Sequence, residues 1–490
     1  MTDRADDLQS LVSGATLVVI GGVVASISKL VERIIIGRTL PPDIYGEVNI
    51  GIIIMTFATT IALFGYSHAT TRYVSQFDDE RDIRGVWVSS LLVPGLLGFL
   101  ITGVLLWHHD LVLHWLFDDP DAGFYLLLFI VTVPFRTLFR ISIHALRGFE
   151  KASYKAGVND LLFPGVRIGI VVALFWLGYG PEAVGYAYVI STVFVLVVAH
   201  VLLNRLVPLV GRFRLHSRKM TVFAAPLILS TILAFLLVQT DTLLLGVFRT
   251  SHEVGLYAAA VPIATGLLIV LKSFGFMYLP IASRLDADGN QREIDAIYST
   301  TTKWVYVVSF PAFAAFVCFP RDVIEIIFGP EYVIAAGAFV ILIVEKVPQA
   351  ANLVLDKGIQ AFDRPKYGAI ATVVSLSMNV ALNLALVPRL GLEGAALATL
   401  ISVVVNTAIL AYYFRRLLVV RFPVADVAWC TLAALVMGAA LVAVTRVLVV
   451  DTAVGLIAVV AVSAAVYGAG VLASPSLREK VLGGVRGAMG

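Results

Sequence analysis

Charge is scarce in this chain. Asp, Glu, Lys and Arg make up 14% of its 490 residues and hydrophobic residues 59%, whereas soluble domains run near 25% charged. Cysteine is scarcer still. Cys318 and Cys430 are the only two, both inside apolar runs, which excludes a disulfide framework and gives no support to a thiolate metal site. The histidines are scattered without metal-ligand spacing, so no metal site is expected. No Gly-rich phosphate loop is present, which argues against ATP hydrolysis by this chain, and no catalytic constellation is found. The start, MTDRADDLQS, is acidic rather than basic, and the apolar run after it is too long for the core of a cleavable signal peptide; none is expected. There is no low-complexity segment. The net charge of +3 gives no reason to expect nucleic acid as a partner, because the basic residues sit in short loops.

What fills the chain instead is a succession of apolar runs of about twenty residues, each long enough to cross a ~30 Å hydrocarbon core. The mean hydropathy is +0.92. In lipid such runs must be helices, since only a helix satisfies its own backbone there. The fold class expected is an all-α integral membrane protein of about fourteen transmembrane helices. These are placed near 11–37, 44–70, 85–107, 122–147, 156–178, 183–204, 220–247, 254–279, 299–320, 332–358, 366–388, 392–415, 424–447 and 452–473.

The chain also repeats itself. ERIIIGRTLPPDIYG (32–46) is echoed by DTLLLGVFRTSHEVG (241–255). Glu32 answers to Asp241, Gly37 to Gly246 and Gly46 to Gly255, each at an offset of 209. Downstream, Pro134 matches Pro348, Phe149-Glu150-Lys151 matches Phe362-Asp363-Arg364, Tyr154 matches Tyr367, and Gly180-Pro-Glu182 matches Gly391-Leu-Glu393. A block of about two hundred residues is duplicated. Six helices per copy, an even number, gives both copies one orientation, as parallel repeats. The expected division is an N-lobe (1–205), a basic linker (206–219), a C-lobe (220–416), and a C-terminal segment (417–490) with two further helices and a cytoplasmic tail.

Lys and Arg concentrate in alternate loops, among them Arg72, Arg81 and Arg84, then Arg147, Lys151 and Lys155, then the linker from Arg205 to Lys219. The opposite loops hold few bases and the acidic run Asp118-Asp119-Pro120-Asp121, which reads as a solvated turn. By the positive-inside rule both termini are cytoplasmic, in a multi-pass protein of the cell membrane. The linker NRLVPLVGRFRLHSRKM reads as an interfacial anchor, with gathering of anionic lipid as the alternative.

A charge at mid-bilayer costs roughly 2.5–3.5 kcal/mol, so those that remain point to a wet cavity or a partner. Arg136, Arg140 and His144 are spaced four and four, one stripe on one helical face. Arg136 lies about 18 Å from the inner helix end at 1.5 Å per residue, too far to snorkel fully. Arg167 is a candidate for the same wall. Lys29, Glu32 and Arg33 share one turn; a Lys29–Glu32 pair and a binding site are equally good readings. In the second copy Glu345, Gln349, Asn352 and Asp356 form a polar face, either interhelical glue or a wall for sugar hydroxyls. Asn379 and Asn383 read as packing residues.

Several stretches resemble those of a known family: GRTLPPDIYG after its acid–Arg pair, VGLYAAAVPIATGLLIVLKSFGFMYLPIASRL, IFGPEYVIAAGAFVIL, and DRPKYGAIATVVSLSMNVALNLALVPRLGLEGAALATLIS. In order and spacing they are similar to the polysaccharide-type lipid-linked oligosaccharide flippases of the MOP superfamily, related to multidrug and toxin extrusion (MATE) exporters and the lipid II flippase. The resemblance implies two six-helix lobes around a central cavity that opens to each face in turn. It also implies a polyprenyl- or dolichyl-phosphate sugar as substrate, moved from the cytoplasmic to the outer leaflet for surface polysaccharide or glycoprotein synthesis. On this reading Arg33, Arg136, Arg140, His144 and Arg167 hold the phosphate, and Gln349 and Asn352 contact the sugar. Glu32, Asp241 and Glu345 are candidates for coupling H⁺ or Na⁺, no other cofactor being expected. Membrane lipids and glycosyltransferases of the same pathway are the expected partners, and the chain is not expected to be an enzyme. The alternative is a cation-coupled exporter of organic cations, which needs an anionic lumen.

Overall fold

The computed structural model describes residues 2–149, 152–417, 424–445 and 453–474. Lys151, Arg421, Arg446 and the tail from 475 onward lie outside them, as does the side chain of Lys272. The described residues are helical throughout, with no strand. Two compact units divide between Ala258 and Ala259.

The first unit contains α1 (Thr2–Thr39), α2 (Pro42–Leu63), α3 (Tyr66–Val74), α4 (Glu80–Trp107), α5 (His109–Leu116) and α6 (Gly123–Gly148). After α7 (Ala152–Lys155), a π-helical stretch Ala156–Leu162 leads into α8 (Phe163–Trp176), then α9 (Glu182–Leu206) and α10 (Ser217–Phe248). Helix α6 is the hub, packed on α2, α3, α4 and α9. Its apolar side buries Phe129, Ile130, Val133, Phe139 and Leu146 almost completely. Small hydroxylated residues let helices close up in a medium with no hydrophobic drive between them; Thr70 and Ser90 share a buried 2.8 Å hydrogen bond between α3 and α4. Helix α10 opens the second sequence repeat yet packs on α2, α3 and α4.

α11 (Ser251–Gly266) crosses the division, and the second unit continues with α12 (Leu268–Ala287), α13 (Gln291–Cys318), α14 (Pro320–Phe328) and α15 (Ala336–Ala361). α16 (Pro365–Leu417) is two helices broken at Gly391, whose φ of 57° and ψ of −132° are not helical. α17 (Val424–Thr445) and α18 (Ala453–Leu472) close the described chain. Lys303 on α13 forms an ion pair with Asp426, and the Trp429 indole N–H donates to the Gly470 carbonyl at 3.0 Å. Those two bonds tie α17 to α13 and α18 to α17.

The duplication is visible in helix lengths. α4 and α13 are both 28 residues long, and each end is displaced by 211 (291−80, 318−107). α6 and α15 are both 26, displaced by 213 (336−123, 361−148). A short helix and a 3₁₀ turn precede each of the latter. Both long pairs carry an internal proline, Pro94 with Pro311 and Pro134 with Pro348.

Among the described residues, nine helices are long and apolar enough to span a membrane, against the fourteen expected. The other five runs have identifiable fates. α16 counts once for two legs, the run 254–279 is divided between α11 and α12 at Leu267, 11–37 lies within α1, and the last two runs are α17 and α18. Large apolar side chains stand exposed along the outside, Trp107, Trp176 and Leu96 at 85%, 86% and 68%. In water such a surface would drive aggregation, and in a bilayer it faces lipid.

The equivalent glycines of the repeat meet inside the first unit. A Cβ on Gly46 would lie 1.9 Å from the Ser251 carbonyl oxygen, and one on Gly255 would lie 1.7 Å from the Pro42 carbonyl oxygen. Pro42 and Ser251 are themselves 209 apart, so the contact is reciprocal, as across a two-fold axis. The acidic turn serves it: Asp118 accepts from the Ser251 N–H at 2.6 Å, and Glu47 accepts from the Asp119 N–H at 3.1 Å and from the Tyr125 hydroxyl.

Candidate functional site

Five helices of the first unit bring the intramembrane cations together. α1 supplies Lys29, Glu32 and Arg33, α2 Tyr45 and Asn49, α6 Arg136 and Arg140, α8 Phe163 and Arg167, and α9 Tyr188. The anchor is the pair of Glu32 with Arg167. Both are almost wholly buried, at 3% and 5% exposure, and the guanidinium grips the carboxylate with two nitrogens, Nε at 2.7 Å and Nη2 in the second bond. A fork on a carboxylate is the geometry in which a buried ion pair best offsets desolvation. Arg167 also lies 4.7 Å from the Phe163 ring centroid and 4.5 Å from that of Tyr188. Glu32 thus takes a base from α8, 135 positions away, as its hydrogen-bonded partner instead of Lys29.

Arg33 is half-buried, donating to Asn49 and sharing a hydrogen bond with Tyr45. Tyr45 in turn donates to the Ala258 carbonyl at 3.3 Å. Arg136 sits 6.0 Å from both the Phe163 and Tyr188 rings. Its Nη1 is buried without any hydrogen-bond acceptor. Arg140, one turn on, is exposed. Neither arginine has a carboxylate within 4 Å among the described residues. Lys29 is exposed, and it lies within electrostatic reach of Arg136, Arg140 and Arg167. Five cations against one acid leave a local charge of +4. Holding Arg136 unpaired near the helix centre costs about 2.5–3.5 kcal/mol, which an anion would offset.

The remaining candidates are elsewhere. His144 is half-buried and bound to Thr71, whose hydroxyl lies 3.2 Å from Nδ1 and donates to the His144 carbonyl at 3.1 Å; it ties α6 to α3. Asp241 on α10 accepts from the Tyr257 hydroxyl at 3.1 Å. In the second unit, Glu345 is fully buried with Lys346 beside its carboxylate. Gln349 and Asn352 follow on α15, each with a buried side-chain oxygen lacking a donor. The 213 offset of the helix ends brings Gln349 to the place of Arg136, and the 214 offset of Pro134 and Pro348 brings Ala350 there; by either, the second copy drops the charge. Along α13, α15, α16 and α17 run two adjoining apolar cavities of about 730 and 940 Å³, sharing Phe310, Val344 and Val347. The sequence reading missed Tyr45, Asn49, Phe163 and Tyr188. Uncharged residues in apolar runs carry no signal until the helices are assembled around the arginines.

The chain is thus a duplicated bundle of apolar helices with a net-positive cluster in its first unit. Its fold is shared with the lipid II flippase MurJ in an inward closed conformation, at TM-score 0.74 and 14% identity, covering 95% of this chain and 100% of that one. An inward-facing MATE transporter of the MOP superfamily matches at TM-score 0.67 and 17% identity, over 80% of this chain and 94% of its own. At such identities the likeness is one of fold. The chain belongs to the polysaccharide biosynthesis protein family, which it matches over residues 35–336. It is similar to the probable low-salt glycan biosynthesis flippase Agl15 of Haloferax volcanii, 27% identical over 226 residues, 46% of this chain and 48% of that protein. The probable flippase AglR of the same organism is 22% identical over 272 residues, 55% and 56% of the two chains. The matches span about half the length of these curated relatives. The resemblance read from the sequence is borne out.

Proposed function

We propose that the protein is a flippase that carries a polyprenyl- or dolichyl-phosphate-linked sugar or oligosaccharide from the cytoplasmic to the outer leaflet by alternating access. The observation that carries this reading is the unpaired stripe of Arg136 and Arg140, with the buried Nη1 of Arg136 lacking an acceptor inside a cluster of net charge +4. A phosphate ester offers several acceptor oxygens to such a fork. Arg136, Arg140 and Arg33 hold the phosphate, the Glu32–Arg167 pair keeps the wall rigid, and His144 marks its inner end. Gln349 and Asn352, with their undonated oxygens, accept from sugar hydroxyls. The isoprenoid tail stays in lipid, and access switches by rocking at Pro94, Pro134, Pro311 and Pro348.

With the cytoplasm negative, expelling one negative charge gains about 2.3 kcal/mol per 100 mV, so the potential drives transfer without ATP. Where H⁺ or Na⁺ is coupled, Glu32, Asp241 and Glu345 are the carboxylates for it. A cation exporter would need an anionic wall, which this cluster opposes. On this reading the protein works in the cell membrane with both termini cytoplasmic, served by the glycosyltransferases that build its substrate, and performs no covalent chemistry itself.

Liposomes with a defined lipid-linked sugar, with and without an imposed potential, test the reading. Arg136→Ala with Arg140→Ala should insert normally and lose at least tenfold in transfer rate, with glycan accumulating on the cytoplasmic leaflet. Unchanged transfer by that variant would refute the phosphate assignment.

A further inference from the structure

The basic residues around the linker fall into two sets. One set is bound. Arg84 donates to Glu80 at 3.1 Å and to the Pro208 and Arg212 carbonyls at 3.0 Å each. Arg214 lies 3.3 Å from Asp82 and 3.6 Å from Asp79, and His216 lies 3.1 Å from Asp82. Those contacts dock the linker on α4.

The other set, Arg72 on α3 with Arg218 and Lys219 on the first turn of α10, has no carboxylate within 4 Å among the described residues. Aromatic faces hold two of these cations in place. Arg72 stands 4.6 Å from the Phe223 ring centroid, and Lys219 stands 4.9 Å from that of Tyr73 and 5.2 Å from that of Phe77. The three cations line one cavity of about 660 Å³, together with the exposed apolar side chains of Leu215 and Val222. Val210 and Phe213, 92% and 50% exposed, continue the apolar edge along the linker. The cavity lies at the end of the bundle that carries the excess of Lys and Arg, beside helices that span the bilayer. Fixed unpaired cations bordered by exposed apolar side chains suit a ligand that is anionic at its head and apolar immediately below.

We propose that this cavity is a binding site for the phosphate headgroup of a membrane lipid, with Arg72, Arg218 and Lys219 on the phosphate and Leu215 and Val222 against the first carbons of its chain. It is separate from the Arg136 cluster in position and residues.

The test uses full-length protein in neutral detergent, with lipid adducts measured by native mass spectrometry. The probes are short-chain phosphatidic acid, farnesyl phosphate, short-chain phosphatidylcholine and inorganic phosphate. Each basic residue at an anionic lipid surface is worth about fivefold, so Arg72→Gln/Arg218→Gln/Lys219→Gln should weaken the phosphate lipids about a hundredfold. Removing three exposed cations outside the cavity, by Arg81→Gln/Arg205→Gln/Arg212→Gln, should change binding less than threefold. Tighter retention of farnesyl phosphate than of phosphatidic acid would identify an isoprenoid phosphate as the occupant, and the reverse a bilayer phospholipid. Equal loss in both triple variants, equal binding of phosphatidylcholine, or displacement by inorganic phosphate at the lipid's own concentration would each overturn the proposal. Should the cavity triple not fold, the single substitutions, at about fivefold each, carry the same test. Arg136→Ala/Arg140→Ala keeps this binding, so the two proposals fail separately.

Discussion

Breaking the buried Glu32–Arg167 pair distinguishes a structural arginine from a substrate ligand. Arg167→Met leaves the Glu32 carboxylate 3% exposed and without its two-nitrogen partner, the situation that costs about 3–5 kcal/mol. Glu32→Gln leaves the opposite charge, but Arg167 keeps two aromatic faces within 4.7 Å, each worth about 0.5–2 kcal/mol, so about 2–3 kcal/mol is expected. The double variant removes both charges and should fall within about 1 kcal/mol of the parent, a coupling of about 4–7 kcal/mol. Thermal unfolding in detergent, followed by tryptophan fluorescence, reads all three. Transport adds the second half of the test. Five cations minus one acid give +4, and the double variant's four cations and no acid also give +4. If Arg167 serves only to hold the wall, the double variant should flip substrate within threefold of the parent. Additive single effects would refute the pairing argument, and a stable double variant with tenfold slower transfer would return Arg167 to the phosphate.

Three further substitutions probe backbone contacts. Gly46→Ala and Gly255→Ala each place a Cβ under 2 Å from a carbonyl oxygen; each should cost at least 1–3 kcal/mol, read as a lowered unfolding midpoint, and an unchanged midpoint would disprove the close approach. Gly85→Ala would put its Cβ 1.6 Å from the Arg214 carbonyl oxygen and push the linker off α4, where the Arg214 N–H donates to the Arg81 carbonyl at 3.1 Å. Trypsin added on the linker side should then cut after Arg212, Arg214 or Arg218 at least tenfold faster, whereas parental cleavage rates would disprove the docking.

Properties that depend on local composition are legible in the sequence. Apolar length marks the helices, down to the break at Gly391 between the two legs of α16, because a span in lipid has one backbone solution. The offset of 209 marks the duplication, and the four-residue spacing puts Arg136, Arg140 and His144 on one helix. Properties that depend on pairing between distant helices are not legible there. Glu32 has a base three residues away and takes one 135 residues away, because Lys29 points to the open side while Arg167 is delivered to it by α8. His144, on the same stripe as Arg136, is committed to Thr71 because α3 packs on that end of α6. The linker's bases all look alike in sequence; only the positions of Asp79, Glu80 and Asp82 divide those that dock it from those that face the cavity.

The junction of Pro42–Gly46 with Ser251–Gly255 amounts to a homodimer seam written into one polypeptide. At such a seam an ancestral substitution is felt on both sides at once, since either copy is the surface the other must fit. Elsewhere the halves have diverged, to the point that one carries arginine where its counterpart carries no charge. Here neither can drift alone, and hydrogen is the largest substituent that both will accept.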